Sequence, residues 1–167
     1  MQAIEIKKSR SFYSCQLDTG LICGHHCDED KMLEAIDSDS RIKYLGTLPV
    51  KDVLVLEKNA IANINPRPFT QDLDRLSIPS KTLEYLASGA LTISVKNTEL
   101  EKVFKDKAIW AKSGEVSDLH AAIKTALEMK EEDRKKIAKD AKTTAISHYS
   151  IEKVGEIITD FSSTLLQ

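Results

Sequence analysis

Residues 78–95 read IPSKTLEYLASGALTISV, and this stretch decides the fold class. Pro79 enforces an extended entry, and Ser80 is a residue type that commonly caps the start of a helix. Gly89 supplies a left-handed stop. Residues 91–95 follow at once and are rich in the β-branched residues that favour strands. The stretch therefore predicts a helix that leads directly into a strand, with Ser80 as the N-cap.

The same alternation continues on both sides of this unit. Short apolar runs near 41–45, 60–64 and 108–111 predict further strands, and helical patterns lie between them. This order predicts an α/β fold, a Rossmann-like parallel sheet with right-handed crossovers and flanking helices. Ligands of such sheets bind beyond the carboxyl ends of the strands.

After residue 115 the pattern is helical to the end of the chain. Ser117 is the expected cap of a first helix, 131–148 form a second whose acids precede its bases, and Ser150 opens a third. Apolar residues fall on one side of the third helix. These are Ile151, Val154, Ile158, Phe161 and Leu165.

The first 40 residues are harder to interpret. Phe12–Cys15 and Leu21–Gly24 both favour strands, but the five residues between them are too few for a parallel crossover. Either one run lies outside the main sheet, or a hairpin replaces the usual unit. We therefore expect one domain over 1–167, with an irregular or truncated start over 1–40, a β/α core over 41–114 and helices over 115–167.

Composition excludes several classes of protein. The 24 basic and 26 acidic residues give a net charge of −2, which is not the basic field that recruits nucleic acid. No apolar run approaches the ~20 residues that span a bilayer, so any membrane association would be peripheral and through a partner. Three cysteines without an export signal lead us to expect reduced thiols and a cytoplasmic location.

The predicted helix at 80–88 carries the pattern of an anion site. Its first N–H groups, from residues 80 to 83, would face the strand ends, and Lys81 adds positive charge there. Glu84 lies one turn further on, where a carboxylate can accept hydrogen bonds from the vicinal hydroxyls of a ribose. This arrangement suits a nucleoside diphosphate. An ordinary capped helix with a solvent-facing glutamate is the alternative. The residues expected to face the core are Leu83, Leu86 and Ala87.

The run at 78–93 resembles the donor-site helix of group 1 GT-B glycosyltransferases, especially those that build bacterial surface polysaccharides. Residues 64–67, INPR, and 44–49, YLGTLP, are also similar to that group. The resemblance implies the C-terminal, donor-binding half of a GT-B fold. It also implies transfer of a sugar from a UDP- or GDP-linked donor to an acceptor hydroxyl, with no further cofactor.

The resemblance also implies roles for individual residues. Glu84 matches the glutamate that binds the donor ribose. Ser80, Lys81 and Thr82 match the helix start near the diphosphate. The turn Gly46-Thr47-Leu48 matches the segment that borders the base. Arg67, in the similar segment at 64–67, is also assigned to the donor-binding set.

The chain also departs from the family pattern. Leu76 stands where many relatives have a second glutamate, and Gln16 and Thr19 stand where an arginine and a lysine neutralise the diphosphate. We expect these 167 residues to lack the acceptor-binding N-terminal domain of that family. We therefore expect nucleotide-sugar binding without turnover unless a separate acceptor-binding domain or chain is supplied. A non-catalytic nucleotide-binding remnant or interaction module is the alternative.

Neither a catalytic constellation nor a metal site is predicted. Asp72 and Asp74 lie in a polar loop of a kind that is usually solvated, so no catalytic residue is assigned. The segment 23–27, CGHHC, with Cys15 upstream, lacks the spacing of a four-ligand zinc site. We expect no metal there.

Overall fold

The computed structural model describes residues 3–7, 19–23, 29–67 and 77–165. Its strands are β1 Ala3–Lys7, β2 Thr19–Cys23, β3 Ile42–Tyr44, β4 Ala62–Asn65, β5 Leu91–Val95 and β6 Ile109–Ala111. Its helices are α1 Glu29–Ser38, α2 Val50–Asn59, α3 Ser80–Ser88, α4 Thr98–Phe104, α5 Val116–Glu128, α6 Glu131–Tyr149 and α7 Ile151–Leu165.

The described strands form one sheet in the order β3-β2-β1-β4-β5-β6. The pairs β2–β3, β4–β5 and β5–β6 are parallel, whereas β1 is antiparallel to both β2 and β4. Because β1 opposes both of its neighbours, the other five strands share one direction. The prediction that the segments near 41–45, 60–64, 91–95 and 108–111 run parallel is confirmed, and their carboxyl ends meet at one edge.

The strand β1 is a feature that we did not predict from the sequence. Residues 3–7, AIEIK, do alternate apolar and charged side chains at Ile4, Glu5 and Ile6, which is a strand pattern. The predicted strand at Leu21–Gly24 appears as β2, which pairs antiparallel with β1. The prediction for Phe12–Cys15 lies outside the described residues.

Two apolar clusters hold helices against the sheet. β5 is buried along its whole length, as expected for a strand covered on both faces. The first cluster packs the strands against α5, and the second packs α3, α4 and α6 together. The buried members of the first are Ala62, Ile64, Leu91, Ile93, Ala111, Ala122 and Ala126. Those of the second are Leu86, Leu100, Phe104, Ala108, Ala141 and Ala145.

The two ends of α3 differ in how well the sequence predicted them. Gly89 lies in the left-handed region, with φ of 91°, as predicted. The prediction of Ser80 as the N-cap is wrong, because Pro79 takes that position and makes no side-chain capping bond. The carbonyl of Pro79 already accepts from the N–H of Leu83 at 3.1 Å, so the capping position lies one residue before the predicted one.

Of the two caps predicted for later helices, one is wrong and one is confirmed. The prediction of Ser117 as a cap is wrong, because α5 begins at Val116. The hydroxyl of Ser113 instead accepts from the N–H of Glu115 at 3.2 Å and donates to Asp118 at 2.7 Å. The prediction for Ser150 is confirmed, since its hydroxyl accepts from the N–H of Lys153 at 3.2 Å.

The last helix, α7, presents an apolar face that the described part of the chain leaves uncovered. All of its residues from 151 to 165 are exposed. The apolar side chains of Ile151, Val154, Ile158, Phe161 and Leu165 are between 41% and 88% exposed. Among the described helices, none combines the length and the apolar composition that crossing a bilayer would require.

Replacing Gly89 by alanine should destabilise the fold by about 1–2 kcal/mol, because L-residues are strained in the left-handed region. The new Cβ would lie 3.5 Å from Cδ of Lys142, an ordinary contact, so strain rather than collision dominates. Gly155→Ala is the matched control. Gly155 lies within α7 in open space, so alanine there should stabilise by about 0.5–1 kcal/mol. Urea unfolding measures both, and equal effects would contradict the left-handed cap.

Candidate functional site

The first turn of α3 lies on the carboxyl ends of β4 and β5. The side-chain amide of Asn65 donates to the hydroxyl of Thr82 at 2.8 Å. That hydroxyl is also 3.0 Å from the hydroxyl of Ser94. All three side chains are buried. These bonds join the start of the helix to two neighbouring strand ends, where the sequence predicts the ligand site.

The side chain of Thr82 anchors the helix rather than facing a ligand. It is 0% exposed, and the hydroxyl of its partner Ser94 continues the chain of bonds to the carbonyl of Val95 at 3.1 Å. Only the backbone N–H of Thr82 can therefore serve a diphosphate. Sequence reasoning missed Asn65 and Ser94 as partners of this helix. The available signal was a polar residue near the end of each of two apolar strands.

The backbone of the first turn supplies fewer donors than predicted. The N–H of Leu83 donates to Pro79, so the prediction that residues 80 to 83 all present free N–H groups is wrong at Leu83. The N–H groups of 80–82 precede the first bond of the helical ladder and point out of its positive end. The side chain of Ser80 is exposed at this end.

A cluster of three charged side chains stands beside this turn. The ammonium of Lys81 is 2.8 Å from Oε2 of Glu84 and 3.4 Å from Oε1 of Glu57. It also lies 5.7 Å from the ring centroid of Tyr85. The side chain of Lys81 is 18% exposed and that of Glu84 is 36% exposed. Lys81 therefore contacts two carboxylates, whereas the sequence predicted that its charge faces an anion.

Sequence reasoning missed Glu57 altogether. This residue lies near the end of α2 and is 2% exposed. A glutamate in an amphipathic helix is normally solvated, so the sequence carries no signal that this one is buried. The packing of α2 against α3 creates the contact with Lys81.

The pKa values of the cluster follow from burial and from the neighbouring charges. Burial raises the pKa of Glu57 above its ordinary 4.5, the charge of Glu84 raises it further, and Lys81 opposes both. Burial by itself lowers the pKa of Lys81. Its bond to Glu84, with the charges of Glu57 and Glu84, outweighs burial and raises that pKa above 10.5. Lys81 is therefore charged throughout the range in which Glu57 titrates.

The other predicted donor residues lie at the same edge of the sheet but apart from α3. Gly46, with φ of 64°, Thr47 and Leu48 follow β3. Because β2 and β1 separate β3 from β4, this turn is about 14 Å along the sheet from β4, three interstrand spacings. Arg67 is exposed just after β4, and its N–H donates to the side-chain oxygen of Asn65 at 3.3 Å.

The residues that depart from the family pattern are placed only in part. The family pattern puts the position of Thr19 in the loop after the first strand, beside the diphosphate, and this expectation is wrong because Thr19 opens β2 and pairs with Lys7. It lies at the amino ends of the parallel strands, opposite the candidate site. Gln16, Leu76, Asp72 and Asp74 lie outside the described residues.

The Cys-His segment is described only at Cys23, which is half-buried in β2. His25, His26, Cys27 and Cys15 lie outside the described residues. Within 3–7, 19–23, 29–67 and 77–165, no three His, Cys, Asp or Glu side chains form a group suited to a metal ion. The absence of a metal site at 23–27 stays a prediction.

An open groove of about 1020 Å³ lies at the opposite edge, beside the amino ends of β4 and β5. Two of the basic side chains that line it, Arg134 and Lys135, have partners. Arg134 donates to the carbonyls of Ala126 and Met129 at the end of α5, and Lys135 pairs with Glu131 at 2.8 Å. Because it lies at the opposite edge of the sheet, the groove is distinct from the candidate donor site.

Thr82→Val should destabilise the chain by about 1–3 kcal/mol, because Asn65 and Ser94 each lose a buried hydrogen-bond partner. Thr143→Val is the matched control. Thr143 is exposed on α6 and bonds only to the carbonyl of Lys139 among the contacts described, so its replacement should stay within about 0.5 kcal/mol. Urea unfolding compares the two variants. A Thr82→Val effect no larger than that of the control would contradict an anchoring role.

Glu57→Gln should change the pH dependence of stability. The folded protein holds a proton on Glu57 more tightly than the unfolded chain, so wild-type stability falls as pH rises from 4.5 through the raised pKa. Glutamine does not titrate, so the stability of Glu57→Gln lacks this contribution to the pH dependence. The free energy of unfolding of wild type minus that of Glu57→Gln should therefore decrease over this interval and then become constant. Urea titrations between pH 4 and about 8 measure it, and a pH-independent difference would contradict the assignment.

Comparison with known proteins identifies the family. The model of a family described as glycosyl transferase-like matches residues 19–160. A search of curated protein sequences finds no significant match. The fold is similar to sucrose-phosphate synthase from Thermosynechococcus elongatus, with a TM-score of 0.67 and 13% identity over 87% of this chain. The match spans 38% of that protein's chain and supports the fold alone. The chain belongs to the glycosyl transferase-like family and has the α/β fold of one half of a GT-B enzyme.

Proposed function

We propose that this chain is the nucleotide-sugar-binding part of a glycosyltransferase that contributes to a surface polysaccharide. One observation carries the proposal: the first turn of α3 is anchored on two strand ends, with a partly exposed glutamate one turn behind it. This arrangement supplies backbone donors for a diphosphate and a carboxylate for a ribose. Family membership supports the reaction class.

The diphosphate would lie at the positive end of α3. The N–H groups of 80–82 point outward there, and Ser80 is exposed beside them. Arg67 is exposed after β4 at the same edge and supplies a cation that can approach the diphosphate. Anchoring by Thr82 keeps the donors in place before a ligand arrives. Such preorganisation is what stabilising a departing diphosphate requires.

The nucleoside would extend from this turn along the edge of the sheet. In this proposal Glu84 accepts from the ribose hydroxyls, and this assignment is supported by a partly exposed carboxylate with acceptor positions beyond its bond to Lys81. The proposal assigns the turn at 46–48 to the base. The donor is a UDP- or GDP-linked sugar, and no further cofactor is assigned.

An acceptor-binding domain or chain is the proposed partner. The apolar face of α7 is uncovered by the described residues, and apolar surface of this kind commonly marks an interaction site. The chain also spans only 38% of the similar synthase. A cytoplasmic location, with membrane contact only through that partner, belongs to the same proposal.

A nucleotide-binding module without catalysis is the second candidate. It is favoured by the charge of the cluster beside α3, where one ammonium faces two carboxylates. Lys81 is held by Glu57 and Glu84, so its charge is not directed at a leaving group. Transfer activity in the presence of an acceptor-binding partner distinguishes the two candidates.

Glu84→Ala should weaken nucleoside diphosphate binding by about 1–3 kcal/mol, the scale of lost hydrogen bonds to a charged group. Calorimetry with UDP, GDP and ADP measures it, after a thermal-shift screen at high ligand concentration that also includes CMP. Glu156→Ala is the matched control, because Glu156 pairs with Lys153 at the same spacing of three on α7. Equal affinities for wild type and Glu84→Ala, with both folded, would exclude the ribose contact.

The isolated chain should bind donor without appreciable transfer. Holding an acceptor hydroxyl against the anomeric carbon can contribute about 7–11 kcal/mol to lowering the barrier, and that requires an acceptor site. The assay measures donor hydrolysis and transfer by the purified chain, with and without a candidate acceptor-domain protein. Robust transfer by the chain alone would overturn this expectation.

A further inference from the structure

We propose that Glu57 is a positioning residue for nucleoside recognition: by holding Lys81, it fixes the carboxylate of Glu84 for contact with a ribose. The inference rests on the proposed function, because it takes Glu84 as the ribose ligand. It adds a residue from another helix, α2, to the determinants of specificity.

The geometry links the two helices through one ammonium. Lys81 lies between Oε1 of Glu57 at 3.4 Å and Oε2 of Glu84 at 2.8 Å. A lysine has a long flexible side chain, and a single ion pair between positions i and i+3 of a helix holds it only weakly. A second, buried carboxylate restricts where the ammonium can go. The orientation of Glu84 is thereby coupled to Glu57.

The backbone of Glu57 is itself tied to α3. The side-chain amide of Asn63 donates to the carbonyl of Glu57 at 3.0 Å and to the hydroxyl of Ser88 at 3.1 Å. The hydroxyl of Ser88 in turn donates to the carbonyl of Tyr85 at 2.7 Å. One buried amide therefore sets the position of α2 against the last turn of α3, while Lys81 connects the same helices near the first turn.

Folding stability does not account for a carboxylate at this position. Oε2 of Glu57 is buried and has no hydrogen-bond partner among the residues that the structure describes. An unsatisfied buried carboxylate oxygen costs free energy that an apolar or amide side chain would avoid. Burial also raises the pKa of Glu57, as expected for a charge held in an unfavourable place. A function for its contact with Lys81 explains why the acid is there.

The consequence is a measurable preference for ribose. A carboxylate held in one orientation loses less freedom when it accepts from a hydroxyl, so preorganisation strengthens that contact. The dissociation constant of the 2′-deoxy nucleoside diphosphate, divided by that of the ribonucleoside diphosphate, isolates the contribution of the 2′-hydroxyl. Contacts with the base and with the diphosphate are common to both ligands and cancel in this ratio. A hydrogen bond to a charged group corresponds to a ratio of about 10 or more in the wild type.

The experiment measures this ratio by calorimetry with UDP against 2′-deoxy-UDP, and with GDP against 2′-deoxy-GDP. Glu57→Gln keeps the shape and removes the charge, and it should lower the ratio at least about threefold. Lys81→Gln breaks the same link from the other side and should lower it similarly, so the test does not depend on one variant folding. Glu156→Gln is the control and should keep the wild-type ratio.

A double variant separates positioning from a general structural effect. Glu84→Ala should bring the ratio close to 1, and adding Glu57→Gln to it should change the ratio no further. A further change of the ratio in the double variant would count against the inference. In the Glu57→Gln single variant, weaker overall binding with an unchanged ratio is what a purely structural role predicts, and it would also count against the inference.

Different outcomes contradict the proposed function and the role of Glu57. If the wild type binds neither diphosphate, or if Glu84→Ala keeps the wild-type ratio, the proposed function fails and the inference fails with it. If Glu84→Ala abolishes the ratio while Glu57→Gln and Lys81→Gln retain it, only the inference is overturned.

Discussion

The buried hydrogen bonds from Asn65 through Thr82 to Ser94 hold the candidate site together. They attach the first turn of α3 to the ends of β4 and β5, so the backbone donors at that turn have a defined place relative to the sheet. The left-handed stop at Gly89 then returns the chain directly into β5. The length and position of α3 are thus determined at both of its ends. The proposed donor recognition depends on this fixed position of α3 relative to β4 and β5.

The charged cluster of Glu57, Lys81 and Glu84 beside α3 differs from these hydrogen bonds, because it includes a buried group that does not favour folding. The side-chain groups of Asn65, Thr82 and Ser94 that form the buried hydrogen bonds have partners. In contrast, Oε2 of Glu57 is buried without a hydrogen-bond partner among the described residues. Lys81 contacts two carboxyl groups at once, so its charge is shared between them and is not available to a diphosphate alone. This arrangement is consistent with a role in orienting Glu84 rather than in neutralising a leaving group.

Much of the fold could be predicted from the sequence because the period of its apolar residues changes between strands and helices. The runs that became β3 to β6 and the stop at Gly89 were visible in this way. The starts of α3 and α5 were not, because Ser80 and Ser117 are good caps that Pro79 and Glu115 displaced by one or two residues. The ligand roles of Ser80, Lys81, Glu84 and the turn at 46–48 stay predictions, since no bound nucleotide tests them. The strand β1 was missed, although its short alternating pattern was readable.

The sequence by itself determined the α/β class, the parallel direction of the four strands β3 to β6 and the presence of a helix that starts at their carboxyl ends. These features follow from local patterns and from the handedness of crossovers, which need no knowledge of distant contacts. Only the tertiary structure decided that Thr82 is an anchor and that Lys81 is shared with Glu57 on α2. Hydrogen bonds and ion pairs between residues 12 to 24 positions apart depend on how helices pack, and no local pattern encodes that packing.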